Sequence, residues 1–211
     1  MIEYVVEHNP DDRTLLKASQ ILKKGGLVCL PTETNWVAAA DPYSKEGLEK
    51  LYQLRHIENT KHFTLQAESF SKAMEVAYIE DAAFSLLKKV IPGPYTFIFE
   101  AQKKVTKYLK ASKYDKEVGI HFPPSLLFRA LLKTHGDLLI TSSITPEMLG
   151  LEEDEFIYSA LIEDHYPHLI DLILDPGEVE FVGSSTIVDF TTGVAEVVRV
   201  GAGDPTLFAS R

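Results

Sequence analysis

Cysteine is nearly missing from this chain of 211 residues: Cys29 is the single one, which excludes a disulfide framework and a cysteine-ligated zinc site. A reducing cytoplasm is the expected setting. No apolar run approaches the ~18 residues that a membrane-crossing helix needs. The N-terminus, Met1-Ile2-Glu3-Tyr4-Val5-Val6-Glu7, has no basic start followed by an apolar stretch, so neither a signal peptide nor a membrane partner is expected. Lys and Arg are missing altogether from residues 134–198, which carry fourteen Asp or Glu, and the whole chain has a formal charge of −10. That balance argues against indiscriminate binding of nucleic acid, although the first 133 residues remain slightly basic. The loop signatures G-x-x-x-x-G-K-[ST], G-x-G-x-x-G, H-E-x-x-H and G-x-S-x-G do not occur. His165 and His168 stand three apart around Pro167 with no third ligand nearby in sequence, so no structural metal is expected.

What is present is an ordinary globular composition, 45% apolar and 25% charged, with no repeat and no Gly/Ser linker. One domain over 1–211 is expected, a mixed α/β (α+β) fold of about seven strands with flanking helices. Asp11 or Asp12 caps a first helix that carries Leu15, Ala18 and Leu22 and ends at Gly25-Gly26. Ser44 caps a second helix with Leu48, Leu51 and Leu54. Segments 70–77, 81–90, 125–135 and 154–166 read as further helices, with Asp81 capping the helix over 81–90 and Gly136 ending the one over 125–135. Segments 27–30, 63–67, 95–101, 118–122, 138–143, 169–174, 185–190 and 195–200 read as extended.

Five segments carry chemistry. Pro31-Thr32-Glu33-Thr34 leaves a buried strand with two hydroxyls and a carboxylate, at the kind of strand end where α/β sheets bind ligands. Gln53-Leu54-Arg55, with Lys61 and His62 beyond it, puts cations at a helix end, where they suit phosphate or carboxylate or simply complement the helix dipole. Thr141-Ser142-Ser143 ends a buried strand in hydroxyls that admit a ligand close to the backbone. Ser184-Ser185-Thr186-Ile187-Val188-Asp189 is the fourth segment. In the fifth, Val198-Arg199-Val200-Gly201, an Arg inside an apolar strand needs a partner, either an internal acid such as Glu33 or Asp189 or a bound anion.

At these places, and in this order over about residues 12–203, the sequence resembles the YrdC/YciO family, the fold of the threonylcarbamoyl-adenylate synthases. Pro31-Thr32-Glu33-Thr34 resembles its P-T-E-T, Gln53-Leu54-Arg55 its K-x-R, and Pro92-Gly93-Pro94-Tyr95-Thr96 its P-G-P-x-T. Val118 to Pro123 falls at V-G-x-R-x-P, Thr141 to Ile144 at T-S-A-N, Ser185 to Asp189 at S-T-[IV]-[VI]-D, and Arg199 to Gly201 at R-x-G. The resemblance implies a twisted mixed sheet with a concave groove. It implies ATP or AMP with Mg²⁺ as ligands, L-threonine and bicarbonate as the synthases' other substrates, and tRNA or other structured RNA as a partner. Arg55, Lys61, Thr141, Ser142, Ser185 and Arg199 are then the nucleotide- and phosphate-binding candidates, and Thr32, Thr34 and His121 the substrate pocket.

Four positions depart from the pattern: Gln53 stands for Lys, Ile144 for Asn, His121 for Arg, and residues 35–40 for a glycine-containing stretch. Gln cannot neutralise a phosphate and Ile cannot hydrogen-bond. The spacing from Arg55 to Phe63-Thr64-Leu65 is similar to that of the YciO branch. Separately, Lys103, Lys104, Lys107, Lys110 and Lys113 form a basic run that is a candidate RNA contact. The expectation is a nucleotide- or double-stranded-RNA-binding protein with degraded synthase motifs. A working synthase, a related adenylate-handling enzyme and a non-catalytic ribosome- or tRNA-associated RNA-binding module stay open beside it.

Overall fold

The computed structural model describes residues 1–55, 63–103 and 116–208. Lys61, Lys104, Lys107, Lys110 and Lys113 lie outside the described residues. The strands are β1 (Ile2–Tyr4), β2 (Val28–Pro31), β3 (Trp36–Ala40), β4 (Thr64–Gln66), β5 (Tyr95–Glu100), β6 (Glu117–His121), β7 (Leu139–Ser143), β8 (Leu172–Asp175), β9 (Thr186–Asp189) and β10 (Glu196–Arg199). All ten join one mixed sheet in the order β1-β8-β2-β3-β7-β4-β6-β5-β9-β10. Among the described residues the count is ten, not about seven. Among the additions, β3 is a Trp-Val-Ala-Ala-Ala run without the alternation or β-branched density that marks a strand. It forms because both its faces are buried between β2 and β7.

The helices are α1 (Asp12–Lys23), α2 (Lys45–Arg55), α3 (Phe70–Met74), α4 (Asp81–Leu87), α5 (Leu126–His135) and α6 (Ser159–His165). Their ends follow local chemistry. Asp11 accepts from Arg13 N at 2.7 Å, Ser44 from Gly47 N at 3.1 Å, and Ser125 from Phe128 N at 3.3 Å. Gly136 closes α5 in the left-handed region, at φ 84°. Asp81 does not cap α4: it lies within the first turn, and Glu80 holds the cap position without a side-chain bond. The expected helix over 154–166 shrinks to α6. Residues 152–155 are four consecutive acids and Phe156 is 90% exposed, so this stretch repels itself and offers no buried face to extend the helix.

Strand alternation divides the sheet's surfaces. On one face Leu65, Phe97, Phe99, Ile120, Ile140 and Val188 join the larger core, under Leu51 and Leu54 of α2 and Leu87 of α4. On the other, α1 and α5 cover β8, β2, β3 and β7 through Leu15, Leu22, Phe128 and Leu131. That smaller core takes in no residue of β4, β5, β6, β9 or β10. Their side chains on this face are Thr64, Gln66, Thr96, Ile98, Gly119, His121, Ile187 and Asp189, joined by Thr141 of β7. The result is a largely polar half-face beyond the two helices, called the groove below. No helix among the described residues is long and apolar enough to cross a membrane.

At the join of α1, α5 and β3, Ser19 Oγ lies 3.3 Å from Nδ1 of the buried His135, and His135 Nε2 lies 3.6 Å from Asp41 Oδ2. Burial pushes the His135 pKa down, against the pull of Asp41 and Asp137 and with the help of Lys23. The native state therefore holds His135 neutral, whereas the unfolded chain takes up a proton as pH falls through about 6.5. Stability contributed by this site is intact above that pH and declines below it. Thermal melts of wild type and His135→Gln at pH 7 and pH 5 should show a smaller acid-induced drop in the variant; equal drops would contradict this reading.

Candidate functional site

Arg55 ends α2, and its guanidinium lies over the Phe63 ring with its carbon 3.9 Å from the ring centre. Arg55 Nε donates to Ser142 Oγ at 2.8 Å. Ser142 is 1% exposed and sits near the carboxyl end of β7. Burial pulls the Arg55 pKa down to about 10, with Tyr52 opposing the shift, so the side chain stays cationic at neutral pH. Ser142 leaves β7 on the side of Ile140 and Ala38, in the larger core, while Thr141 leaves on the groove side. Thr141 Oγ1 accepts from Gln66 Nε2 at 2.9 Å and donates to Thr64 O at 3.1 Å.

A second group lies along the groove. Ser185 Oγ is 2.9 Å from Thr96 Oγ1. Arg199 holds the same serine, with Nη2 2.7 Å from Ser185 O and 3.1 Å from Ser185 Oγ. Arg199 is exposed, and its bonds go to Ser185, not to Glu33 or Asp189; the expectation of an inward charge fails because β10 is an edge strand with outward faces. Asp189 instead accepts from Thr191 N at 2.7 Å, closing the turn after β9. The tail beyond Arg199 laces onto the same segment: Gly201 N donates to Thr186 Oγ1 at 2.9 Å, and Ala202 N to Ser184 O at 2.8 Å. A Cβ at Gly201 would stand 2.2 Å from Ser184 O, so this close approach requires glycine.

The turn between β2 and β3 engages its own hydroxyls. Thr32 Oγ1 accepts from Thr34 N and Asn35 N, each at 3.2 Å, and lies 3.0 Å from Thr34 Oγ1. Val182 N donates to Glu33 O at 2.9 Å and ties the turn to the segment before β9. The side chain this turn delivers to the groove is Glu33. Its Oε1 lies 3.0 Å from His121 Nε2, and His121 Nδ1 lies 2.6 Å from Tyr95 O. Among the described residues, both Glu33 carboxylate oxygens, Gln66 Oε1 and His121 Nε2 are buried without an aligned hydrogen bond. Each such atom costs about 1–3 kcal/mol, so their presence together marks a place that is not built for stability.

The structure thus joins Arg55 to Ser142, Ser185 to Arg199, and His121 to Glu33. The first pair lies at the carboxyl end of β7 on the larger-core face of the sheet, opposite the face that carries Thr141, Gln66, His121 and Ser185. Sequence reasoning passed over Gln66, Phe63 and Thr96 as site residues; it placed the Glu33 carboxylate at a ligand-binding strand end and also offered it as a partner for Arg199. Gln66 follows the 63–65 segment one strand from His121 and had no motif to mark it; Thr96 stood within P-G-P-x-T and was the one readable signal.

The family question is decided by a domain model for Sua5/YciO/YrdC, described as telomere recombination, that matches residues 20–201. The chain belongs to the Sua5/YciO/YrdC family. It is 30% identical over 205 residues to the uncharacterized protein YciO of Escherichia coli, covering 95% of each chain. It is 25% identical over 189 residues to the threonylcarbamoyl-AMP synthase of Bos taurus, covering 85% of this chain and 65% of that one. The crystal structure of E. coli YciO superposes with a TM-score of 0.86 at 28% identity over 99% of both chains. P. abyssi Sua5 complexed with L-threonine shares the fold, with a TM-score of 0.82 at 20% identity over 95% of this chain and 57% of that one. The family is thus one related to threonylcarbamoyl-AMP synthases, and the mixed α/β sheet expected from sequence is the family's fold.

Gly201→Ala should unseat the 199–203 tail, lower stability by about 1–3 kcal/mol through overpacking, and loosen the Arg199–Ser185 contact. Denaturant midpoints would check this; an unchanged midpoint would show that the tail accommodates a methyl group.

Proposed function

We propose that the chain binds a nucleotide through Arg55 and Ser142 at the carboxyl end of β7, and that it does not carry the complete synthase reaction. One observation carries this reading: a half-buried guanidinium, stacked on Phe63 and fixed to Ser142 at 2.8 Å, stands at a strand's carboxyl end. Arg offers a planar fork for phosphate, and a fork held in place before binding loses little freedom on contact. Ser185, steadied by Arg199 and Thr96, is a separate hydroxyl on the opposite face of the sheet.

The departures support the second half of the proposal. Gln53 is exposed on α2 and brings no charge. Ile144 is 1% exposed within the larger core, its amide bonded to Trp36 O at 2.8 Å, and it presents no polar group to a ligand. Losing one preorganised donor to developing charge costs roughly 10²–10³ in rate. RNA binding stays a separate proposal resting on the lysine run, of which Lys103 alone among the five candidates falls within the described residues.

Calorimetry with ATP and AMP tests the reading. Arg55→Ala should weaken ATP at least tenfold, in line with the ~1.5–3 kcal/mol of a charge-assisted bond. The Arg55 contribution should hold steady from neutral pH upward and fall as pH rises through about 10. Equal ATP affinity of wild type and Arg55→Ala would contradict the site. In a parallel assay, threonine- and bicarbonate-dependent pyrophosphate release should not exceed background; robust release would show that Gln53 and Ile144 suffice for turnover.

A further inference from the structure

Four buried polar atoms without aligned hydrogen bonds belong to three residues of this half-face and its adjoining turn: Glu33 Oε1 and Oε2, Gln66 Oε1 and His121 Nε2. Gln66 and His121 are register partners on the parallel strands β4 and β6, and they are 3% and 4% exposed. Glu33 reaches them from the β2–β3 turn, with Oε1 3.0 Å from His121 Nε2. We propose that Glu33, Gln66 and His121 form a binding site for a divalent first-row transition-metal ion.

The imidazole's orientation is the first argument. His121 Nδ1 is 2.6 Å from the Tyr95 carbonyl oxygen, and a carbonyl only accepts. Nδ1 therefore carries hydrogen, and in the neutral ring the Nε2 lone pair is free. It stands beside a carboxylate oxygen, an arrangement of two electron-rich atoms that either a proton on Nε2 or a metal cation relieves. A ring nitrogen that donates to a backbone carbonyl while its partner nitrogen is free is the tautomer metal-binding histidines adopt.

Spacing is the second argument. Donors about 2.1 Å from an ion stand about 3.0 Å apart at a right angle and about 3.4 Å apart at the tetrahedral angle. The observed 3.0 Å matches the right angle, and the longer bonds of Ca²⁺, about 2.3–2.6 Å, would spread the pair further. One imidazole nitrogen with carboxylate and amide oxygens suits Mn²⁺ or Zn²⁺ more than Mg²⁺, which favours oxygen alone. Among the described residues no three or more His, Cys, Asp or Glu are placed together to hold a metal ion; the third donor here is an amide. Such a site leaves open positions for water or a ligand oxygen. It would also return positive charge at His121, the position where the family pattern has Arg, a consequence that rests on the nucleotide reading above.

The test uses the full chain, stripped with a chelator and titrated with MnCl2 or ZnCl2 in the absence of nucleotide, so that its outcome is separate from that of nucleotide binding. Wild type should bind one ion. His121→Ala and Glu33→Gln should each lose more than the 10–100-fold that removal of an outer-shell partner costs. Gln66→Glu, which keeps the shape and adds a ligand charge, should tighten binding at least tenfold and guards against variants that merely unfold. A Co²⁺-loaded sample should show the weak visible bands of octahedral coordination, lost in His121→Ala. The proposal is overturned if wild type binds neither ion, or if His121→Ala and Gln66→Glu bind both ions as wild type does.

Discussion

Two helices cover about 20 Å of a sheet, the width of roughly four strands spaced ~4.8 Å apart, and this sets the form of the molecule. On one face α1 and α5 occupy that width over β8, β2, β3 and β7. The sheet runs on for five more strands, and on this face they present Thr64, Gln66, Thr96, His121 and Asp189, where the covered half presents Val, Leu and Ala. The opposite face keeps its aromatic core, with Phe97, Phe99, Phe190 and Phe208 in mutual ring contact. That apolar layer anchors the strands from behind, so the groove side is free to hold polar groups that contribute little to stability.

Small residues allow the two halves to meet. Ala40 of β3 lies against Gly47 of α2, where an added Cβ would come within 3.2 Å, and this close seating sets the position from which α2 delivers Arg55. The β2–β3 turn engages its threonine hydroxyls internally and carries Glu33 to the groove. At the far edge, Gly201 lets the tail approach the Ser184–Ser185 backbone, which places Arg199 on Ser185. Each chemical group is thus placed by a local backbone constraint.

Much of this could be read before the structure. The caps at Asp11 and Ser44 and the stop at Gly136 are local chemistry and were legible. So were the segments ending in Arg55 and Ser142, because their residue types suit anions. Strand β3 was not, since alanines become a strand through burial between neighbours, which periodicity does not report. Nor was the partner of Arg199, because being an edge strand is a property of the sheet order. The cluster of Glu33, Gln66 and His121 comes from three separate segments that only strand register and a curled turn bring together.

The central claim is that Arg55 and Ser142 form the anion-facing arm of a nucleotide site. A crystal structure with a non-hydrolysable ATP analogue tests it most directly. The account predicts phosphate oxygens within hydrogen-bond distance of the Arg55 guanidinium at the carboxyl end of β7. A nucleotide bound elsewhere, with Arg55 still closed on Ser142 and no phosphate beside it, would contradict the account.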